Sequence, residues 1–111
     1  MSIERGRLKQ PDAAPPSGES ISVLAGGTGW RVEQLLTGTL PGPIEDQLDH
    51  DEWVVVLSGG ATLDVDGDVV TMTAGDWILL HAGVPHRVLS TEPPTSWLAV
   101  HVGRDLNAPV A

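Results

Sequence analysis

The 111-residue sequence contains no cysteine, and this absence narrows the chemistry open to it. Without thiols the chain can form no disulfide bond, cannot hold a metal through thiolate and has no cysteine nucleophile. Any metal it binds must therefore take nitrogen and oxygen ligands. Phenylalanine and tyrosine are also absent, so four tryptophans supply all of the aromatic surface: Trp30, Trp53, Trp77 and Trp97. We expect these tryptophans to lie in the core or to line a pocket.

Positive charge is scarce as well. Six Lys and Arg residues stand against 15 Asp and Glu residues, which gives a formal net charge of -9. This charge repels nucleic-acid phosphates and anionic lipid surfaces, so we predict neither as a partner. No apolar run is long enough to span a membrane, and the first residues, MSIERGRLKQ, lack the apolar stretch of a signal peptide. We therefore predict a cytoplasmic protein.

The chain has the length of one domain. Residues 1–20 include KQPDAAPPSGES, which holds Pro, Gly, Ser and Ala without periodicity, and we predict a flexible N-terminal arm there. We predict the folded domain over residues 21–103 and a C-terminal tail over residues 104–111.

Between these arms, short apolar segments alternate with turn residues, a pattern that predicts an all-β sandwich or barrel. The predicted strands are Ile21–Leu24, Trp30–Thr37, Glu52–Leu57, Ala61–Val65, Asp68–Thr73, Trp77–Leu80, His86–Ser90 and Ser96–Val102. Asp66-Gly67 predicts a two-residue hairpin loop, because Asp-Gly tolerates the positive φ angles of such turns. We expect a turn at Ser58-Gly59-Gly60 and an extended loop at Pro93-Pro94.

Two segments then suggest a family. Glu52 is followed by WVVVLS and Gly59, and the segment GDWILLHAGVPH places Gly75, Gly83 and His86 at fixed spacing. These segments resemble the two motifs of a small single-domain cupin, over roughly residues 43–102. The resemblance implies an antiparallel jelly-roll β-barrel that holds a metal ion inside. In the first motif, the positions of the two histidines hold Glu45 and Gln47, or, in the shorter spacing, Asp46 and Leu48.

A metal site follows as a hypothesis. Residues two apart on a strand share a face, so His50 and Glu52 can point the same way, and the resemblance implies that His86 faces the same interior. Two imidazoles and one carboxylate suit Zn, Fe, Mn or Ni. The candidate metal ligands are His50, Glu52, His86 and Gln47. Glu52 is alternatively a general base, and His50 alternatively belongs to the solvated acidic run EDQLDHDE.

The candidate pocket residues are Trp77, Trp97 and His101. For His101 the alternative is a half-buried, hydrogen-bonded histidine without a role in a pocket. Alternation along the Glu52 strand places Glu52 with Val54 and Val56 on one face and Trp53 with Val55 on the other. We expect the outward Trp53 and Val55 to be covered by a second copy in a homodimer.

The function predicted from these residues is the binding of a divalent metal ion and a small organic molecule inside the barrel. Two alternatives stay open. One is a metal-free or non-catalytic protein that binds or senses a small ligand, and the other is a metal-dependent oxygenase, isomerase or lyase. The sequence leaves open whether the protein is an enzyme.

Overall fold

The computed structural model of the chain describes residues 2–104 and residue 106. A short 3-10 helix, Pro11–Ala13, precedes seven strands. The strands are β1 (Glu19–Gly27), β2 (Trp30–Thr37), β3 (Ile44–Asp46), β4 (Asp51–Val65), β5 (Asp68–Thr73), β6 (Trp77–Leu80) and β7 (His86–Val102). The predicted bounds of β2, β5 and β6 are confirmed. Within the described residues, no helix is long and apolar enough to cross a membrane.

The strands pair in the order β1-β2-β7-β4-β5, while β3 adds to β7 and β6 adds to β4. Every named pairing is antiparallel. The turn between β4 and β5 has positive φ angles at both central residues, 50° at Asp66 and 93° at Gly67. These angles are typical of the twisted two-residue hairpin, so this predicted hairpin is confirmed. The seven antiparallel strands of the described residues confirm the predicted all-β fold class.

Strands β4 and β7 are each longer than the sequence suggests, and the predicted turn and loop inside them are wrong. Ser58 pairs with Ser96, whereas Gly60 already pairs with Glu92, so β7 carries extra residues opposite the glycines of β4. This is a β-bulge, and Pro93-Pro94 lies within it. Because proline has no N–H to offer a ladder, an unpaired bulge is a place where a long strand can hold two prolines.

Gly59 makes this bulge possible. Its φ is +83°, and a Cβ added there would lie 2.6 Å from Thr95 Oγ1 and 2.7 Å from the carbonyl oxygen of Pro94. Both the backbone conformation and the close approach of β7 require glycine at this position.

The core lies between the inward faces of β4, β5 and β7. Its buried members are Val54, Val56, Ala61, Leu63, Met72, Trp97 and Ala99. The predicted alternation of β4 is confirmed, since Val54 and Val56 are buried while Trp53 and Val55 on the opposite face are only half-buried.

From the sequence we expected all four tryptophans to lie in the core or to line a pocket, and this expectation is wrong for two of them. Trp97 is buried, and its Nε1 donates a hydrogen bond of 3.0 Å to Thr37 Oγ1. Trp53 is half-buried and lies 6.0 Å from Trp77, measured between ring centroids. Trp77 and Trp30 are 59% and 43% exposed. Only one of the four indoles therefore belongs to the core.

Lys9 and Leu106, which lie outside the strands, both contact the barrel. The backbone N–H of Lys9 donates to Gln34 Oε1, and Gln34 Nε2 donates back to the carbonyl oxygen of Lys9, both at 2.9 Å. The N–H of Gly29 donates to the carbonyl oxygen of Leu106 at 2.7 Å. The rest of the predicted C-terminal tail, Asp105 and residues 107–111, lies outside the described residues.

Candidate functional site

A small chamber of about 80 Å³ lies inside the barrel. Most of its wall is apolar, and Glu52 and His86 supply polar groups to it. An open groove of about 480 Å³ adjoins the chamber, because Asp46 and His86 line both spaces. A buried, mainly apolar cavity with a few polar groups and a wider entrance is typical of a small-molecule site.

Strands β4 and β7 carry Glu52 and His86, and strands β6 and β3 flank them. Glu52 lies near the start of β4, between Leu80 of β6 and His101 of β7. His86 is the first residue of β7 and is opposite Asp46 of β3. Their side chains are 13% and 9% exposed, and His86 Nε2 lies 3.8 Å from Glu52 Oε1.

A hydrogen bond of the His86 side chain determines which ring nitrogen carries the proton. Its Nδ1 lies 3.2 Å from the carbonyl oxygen of Val84. A carbonyl oxygen can only accept, so Nδ1 carries the proton and Nε2 of the neutral ring presents a lone pair towards Glu52. Within the described residues, no group donates a hydrogen bond to either oxygen of Glu52, whose nearest imidazole nitrogens are 3.6 and 3.8 Å away. Two hydrogen-bond acceptors therefore face each other without a donor between them.

Burial raises the pKa of Glu52. The imidazoles of His101 and His86 oppose this rise, while the carboxylates of Asp46 and Glu33 add to it. Since burial is the largest cause, the charged form of Glu52 is held at a free-energy cost that a bound donor or cation would relieve.

A second polar network lies behind Glu52. His50 Nδ1 bonds Asp49 Oδ1 at 2.9 Å, His50 Nε2 bonds His101 Nδ1 at 2.8 Å, and His101 Nε2 bonds Glu33 Oε1 at 2.9 Å. Carboxylate oxygens only accept, so these three bonds need three protons on two rings. Two neutral imidazoles carry two protons between them. The fully bonded network therefore holds one positive charge on the histidine pair, flanked by two carboxylates.

Glu33 of β2 completes this network and was not among the predicted site residues. The hydrogen bond from His101 lowers the pKa of Glu33, and burial opposes that effect. Arg31 Nε also donates to Glu33 Oε2, at 2.9 Å. The one available signal was a charged residue inside the apolar strand WRVEQLLT, but only the antiparallel pairing of β2 with β7 brings Glu33 beside His101.

The four predicted metal ligands do not come together. Glu52 and His86 are neighbours, whereas His50 is bonded to His101 and Asp49. Gln47 is exposed, and its Nε2 donates a hydrogen bond of 3.0 Å to the carbonyl oxygen of Gly83 instead of facing Glu52. In the part of the chain that the structure describes, no three His, Asp or Glu side chains are arranged to hold a metal ion. The residues as placed do not fit the metal that the sequence resemblance implies.

Of the three predicted pocket residues, two lie at or near the chamber and one lies outside it. Trp97 lines the chamber, and His101 lies 3.6 Å from Glu52. Trp77 lies on the outer face of the sheet, which corrects its assignment to the pocket. The reason is the phase of β6, because Leu80 turns inward and is buried, so that Trp77 and Leu79 point outward.

Comparison with known proteins agrees with this architecture. The family model Cupin_2, described as "Cupin domain", matches residues 35–101. A crystal structure from Ralstonia eutropha JMP134, provisionally named a mannose-6-phosphate isomerase, is 32% identical with a TM-score of 0.72, covering 87% of this chain and 98% of that one. A search of curated proteins found no match.

Two more distant structures share the fold. A cupin superfamily protein from Desulfitobacterium hafniense DCB-2 is 16% identical with a TM-score of 0.73, over 92% of this chain and 94% of that one. KdgF from Halomonas sp. is 17% identical with a TM-score of 0.70, over 79% of this chain and 82% of that one. The predicted jelly-roll β-barrel is thereby confirmed, and the chain belongs to the cupin family.

Proposed function

We propose that this cupin binds a small organic molecule in the chamber beside Glu52 and His86. The observation that carries the proposal is the pair of unsatisfied acceptors, Glu52 Oε1 and His86 Nε2, which face each other across 3.8 Å at the wall of a mainly apolar chamber. Both residues line the chamber, and neither atom has a hydrogen-bond partner among the described residues, so a ligand that enters the chamber can supply bonds to both.

The chamber also has an entrance suited to a ligand. The adjoining groove is wider and more polar than the chamber, and His86 and Asp46 stand where the two meet. A molecule can therefore pass its apolar part inward and keep a polar part near the groove. Glu52 is in a position to exchange a proton with such a molecule, so the site is also compatible with acid-base chemistry.

A spectroscopic experiment tests ligand binding at this place. The indole N–H of Trp97 lies at the chamber wall and gives a separate proton-nitrogen NMR signal. We expect fragments of a few heavy atoms to shift this signal in the wild type and to leave it unchanged in Val88→Phe, which fills the chamber. The matched control is Val69→Phe on the exposed surface of β5. Fragments that bind Val88→Phe as well as the wild type would refute the proposed site.

Binding of Zn, Fe, Mn or Ni is the second candidate, because Glu52 and His86 stand at the cupin motif positions and lie close together. The other described residues do not complete a metal site around them. Elemental analysis of the purified protein decides between the two. Metal binding would replace the first candidate if the wild type carries one equivalent of metal and both Glu52→Ala and His86→Ala lose it. The melting temperature of the wild type should then also rise when the metal is added. The cytoplasmic location stays a prediction.

A further inference from the structure

We infer that the chamber selects a short alkylammonium ion over neutral or anionic molecules of the same size, an inference that rests on the proposed function. Three independent features of the chamber lead to this ligand class: the direction of its hydrogen bonds, the sign of the charges around it, and its size and apolar wall.

The hydrogen-bonding groups at the wall need a donor. Glu52 presents two carboxylate oxygens, and His86 presents the lone pair of Nε2, because its Nδ1 proton is directed to the carbonyl oxygen of Val84. The side chain of His86 is 91% buried, since only 9% of it is exposed, and within the described residues its Nε2 makes no hydrogen bond. An ammonium group has three N–H donors and no acceptor, and it can donate to both residues at once. A carboxylate ligand would bring a third acceptor instead.

The charges around the chamber also favour a cation. Glu19, Asp46 and Glu52 line it, and no Lys or Arg of the described residues does. Arg87 lies in the adjoining groove, where it is held by Asp64 at 2.8 Å. Glu19 and Asp46 are exposed and the side chain of Glu52 is only 13% exposed, so three carboxylates gather around one space and, as like charges, repel one another. A bound cation would relieve this repulsion.

The wall and the volume distinguish an organic cation from a metal ion. The apolar lining residues are Leu35, Ile44, Val54, Leu63, Leu80, Val88 and Trp97. A chamber of about 80 Å³ has the volume of roughly two to three waters, at about 30 Å³ each in the liquid, so it admits only a few heavy atoms. A hard cation needs several converging oxygen ligands, which the described residues do not provide. An alkylammonium ion needs only one or two acceptors and an apolar wall.

Three probes of equal length test the inference: propylammonium, 1-propanol and propionate. Each is titrated into the wild-type protein, with the Trp97 indole N–H signal and calorimetry as readouts. We expect propylammonium to bind at least about tenfold more tightly than 1-propanol, because a charge-assisted hydrogen bond is stronger than a neutral one, and propionate not to bind. Binding of 1-propanol as tight as that of propylammonium, or binding of propionate, would overturn the inference and leave the proposed function standing.

Matched variants assign the selectivity to one carboxylate. Glu52→Gln should lower the affinity for propylammonium about tenfold or more and change that for 1-propanol little. The control Asp68→Asn removes one exposed carboxylate on β5 and should alter neither affinity. Unchanged selectivity in a folded Glu52→Gln would overturn the inference. If Glu52→Gln does not fold, the wild-type comparison of the three probes decides alone. Failure of all three to bind the wild type would overturn both the inference and the proposed function.

Discussion

Replacing Glu33 with alanine removes the carboxylate that holds the buried histidine network in place. Glu33 accepts hydrogen bonds of 2.9 Å from His101 Nε2 and from Arg31 Nε. The side chains of Glu33 and His101 are only 11% and 6% exposed. The carboxylate of Glu52 also lies near His101 Nε2, but at 3.6 Å it is too far for a hydrogen bond. The variant therefore leaves the buried Nε2 of His101 without its hydrogen-bond partner.

The expected loss of unfolding free energy is about 2–4 kcal/mol. Each hydrogen bond to a charged group contributes about 1.5–3 kcal/mol, and the bond to the half-buried Arg31 is reduced by solvent screening. At roughly 4 °C per kcal/mol for a domain of this size, the melting temperature should fall by about 8–16 °C. Glu33→Gln keeps an oxygen that can accept from His101 and loses only the charge, so we expect about half of the effect.

The same reasoning predicts a pH dependence. The pKa of Glu33 is lowered in the folded state from its ordinary value of 4.5. Its contribution to stability is therefore present above pH 4.5 and is lost as the pH falls through the folded-state pKa. The stability difference between the wild type and Glu33→Gln should shrink as the pH falls below about 4.5.

Urea unfolding followed by tryptophan fluorescence measures these differences, provided that the m-value is unchanged. Glu45→Gln is the matched control, because this carboxylate is 73% exposed and lies 3.9 Å from Arg87. We expect the control to change stability by less than about 0.5 kcal/mol. If Glu33→Ala is as stable as the control, the histidine network does not stabilise the fold and the reasoning is wrong.

Three further predictions concern the bulge, the chamber and the outer face. Gly59→Ala should destabilise the protein by about 3 kcal/mol or more, through strain and steric overlap, whereas Gly67→Ala, with a φ of +93° and free space around it, should cost about 1 kcal/mol; equal losses in urea unfolding would contradict the overlap. Because its pKa is raised in the folded state, ionised Glu52 opposes folding. Glu52→Gln should therefore be more stable than the wild type at pH 8, with a difference that disappears as the pH falls below about 4.5; a difference independent of pH in the same assay would count against this. We also predict a homodimer through the outward face that holds Trp53, Val55 and Trp77. Light scattering should report two chains for the wild type and for the control Val69→Lys, whose position on β5 is 67% exposed, but one chain for Trp77→Lys. A monomeric wild type would refute the dimer.

The orientation of Trp77 is one feature that could not be predicted from the sequence. The short segment WILL predicted β6 with its correct bounds, but a four-residue apolar strand does not reveal which of its faces turns inward. For the longer β4, Glu52 alternates with buried valines, and its inward direction could be predicted. Alternation determines orientation only where polar and apolar residues differ along the strand.

The sequence by itself determined the all-β class, three strands with their bounds, the Asp66-Gly67 hairpin, and the spacing that places Glu52 and His86 in a cupin barrel. These features depend on local backbone preferences and short motifs. Tertiary structure alone decided that His50 bonds His101 and that Glu33, 68 residues away along the chain, bonds the other side of the same ring. It also decided that the Gln47 amide turns outward. Such contacts depend on the register between distant strands, and register follows from the packing of the whole barrel rather than from any one segment.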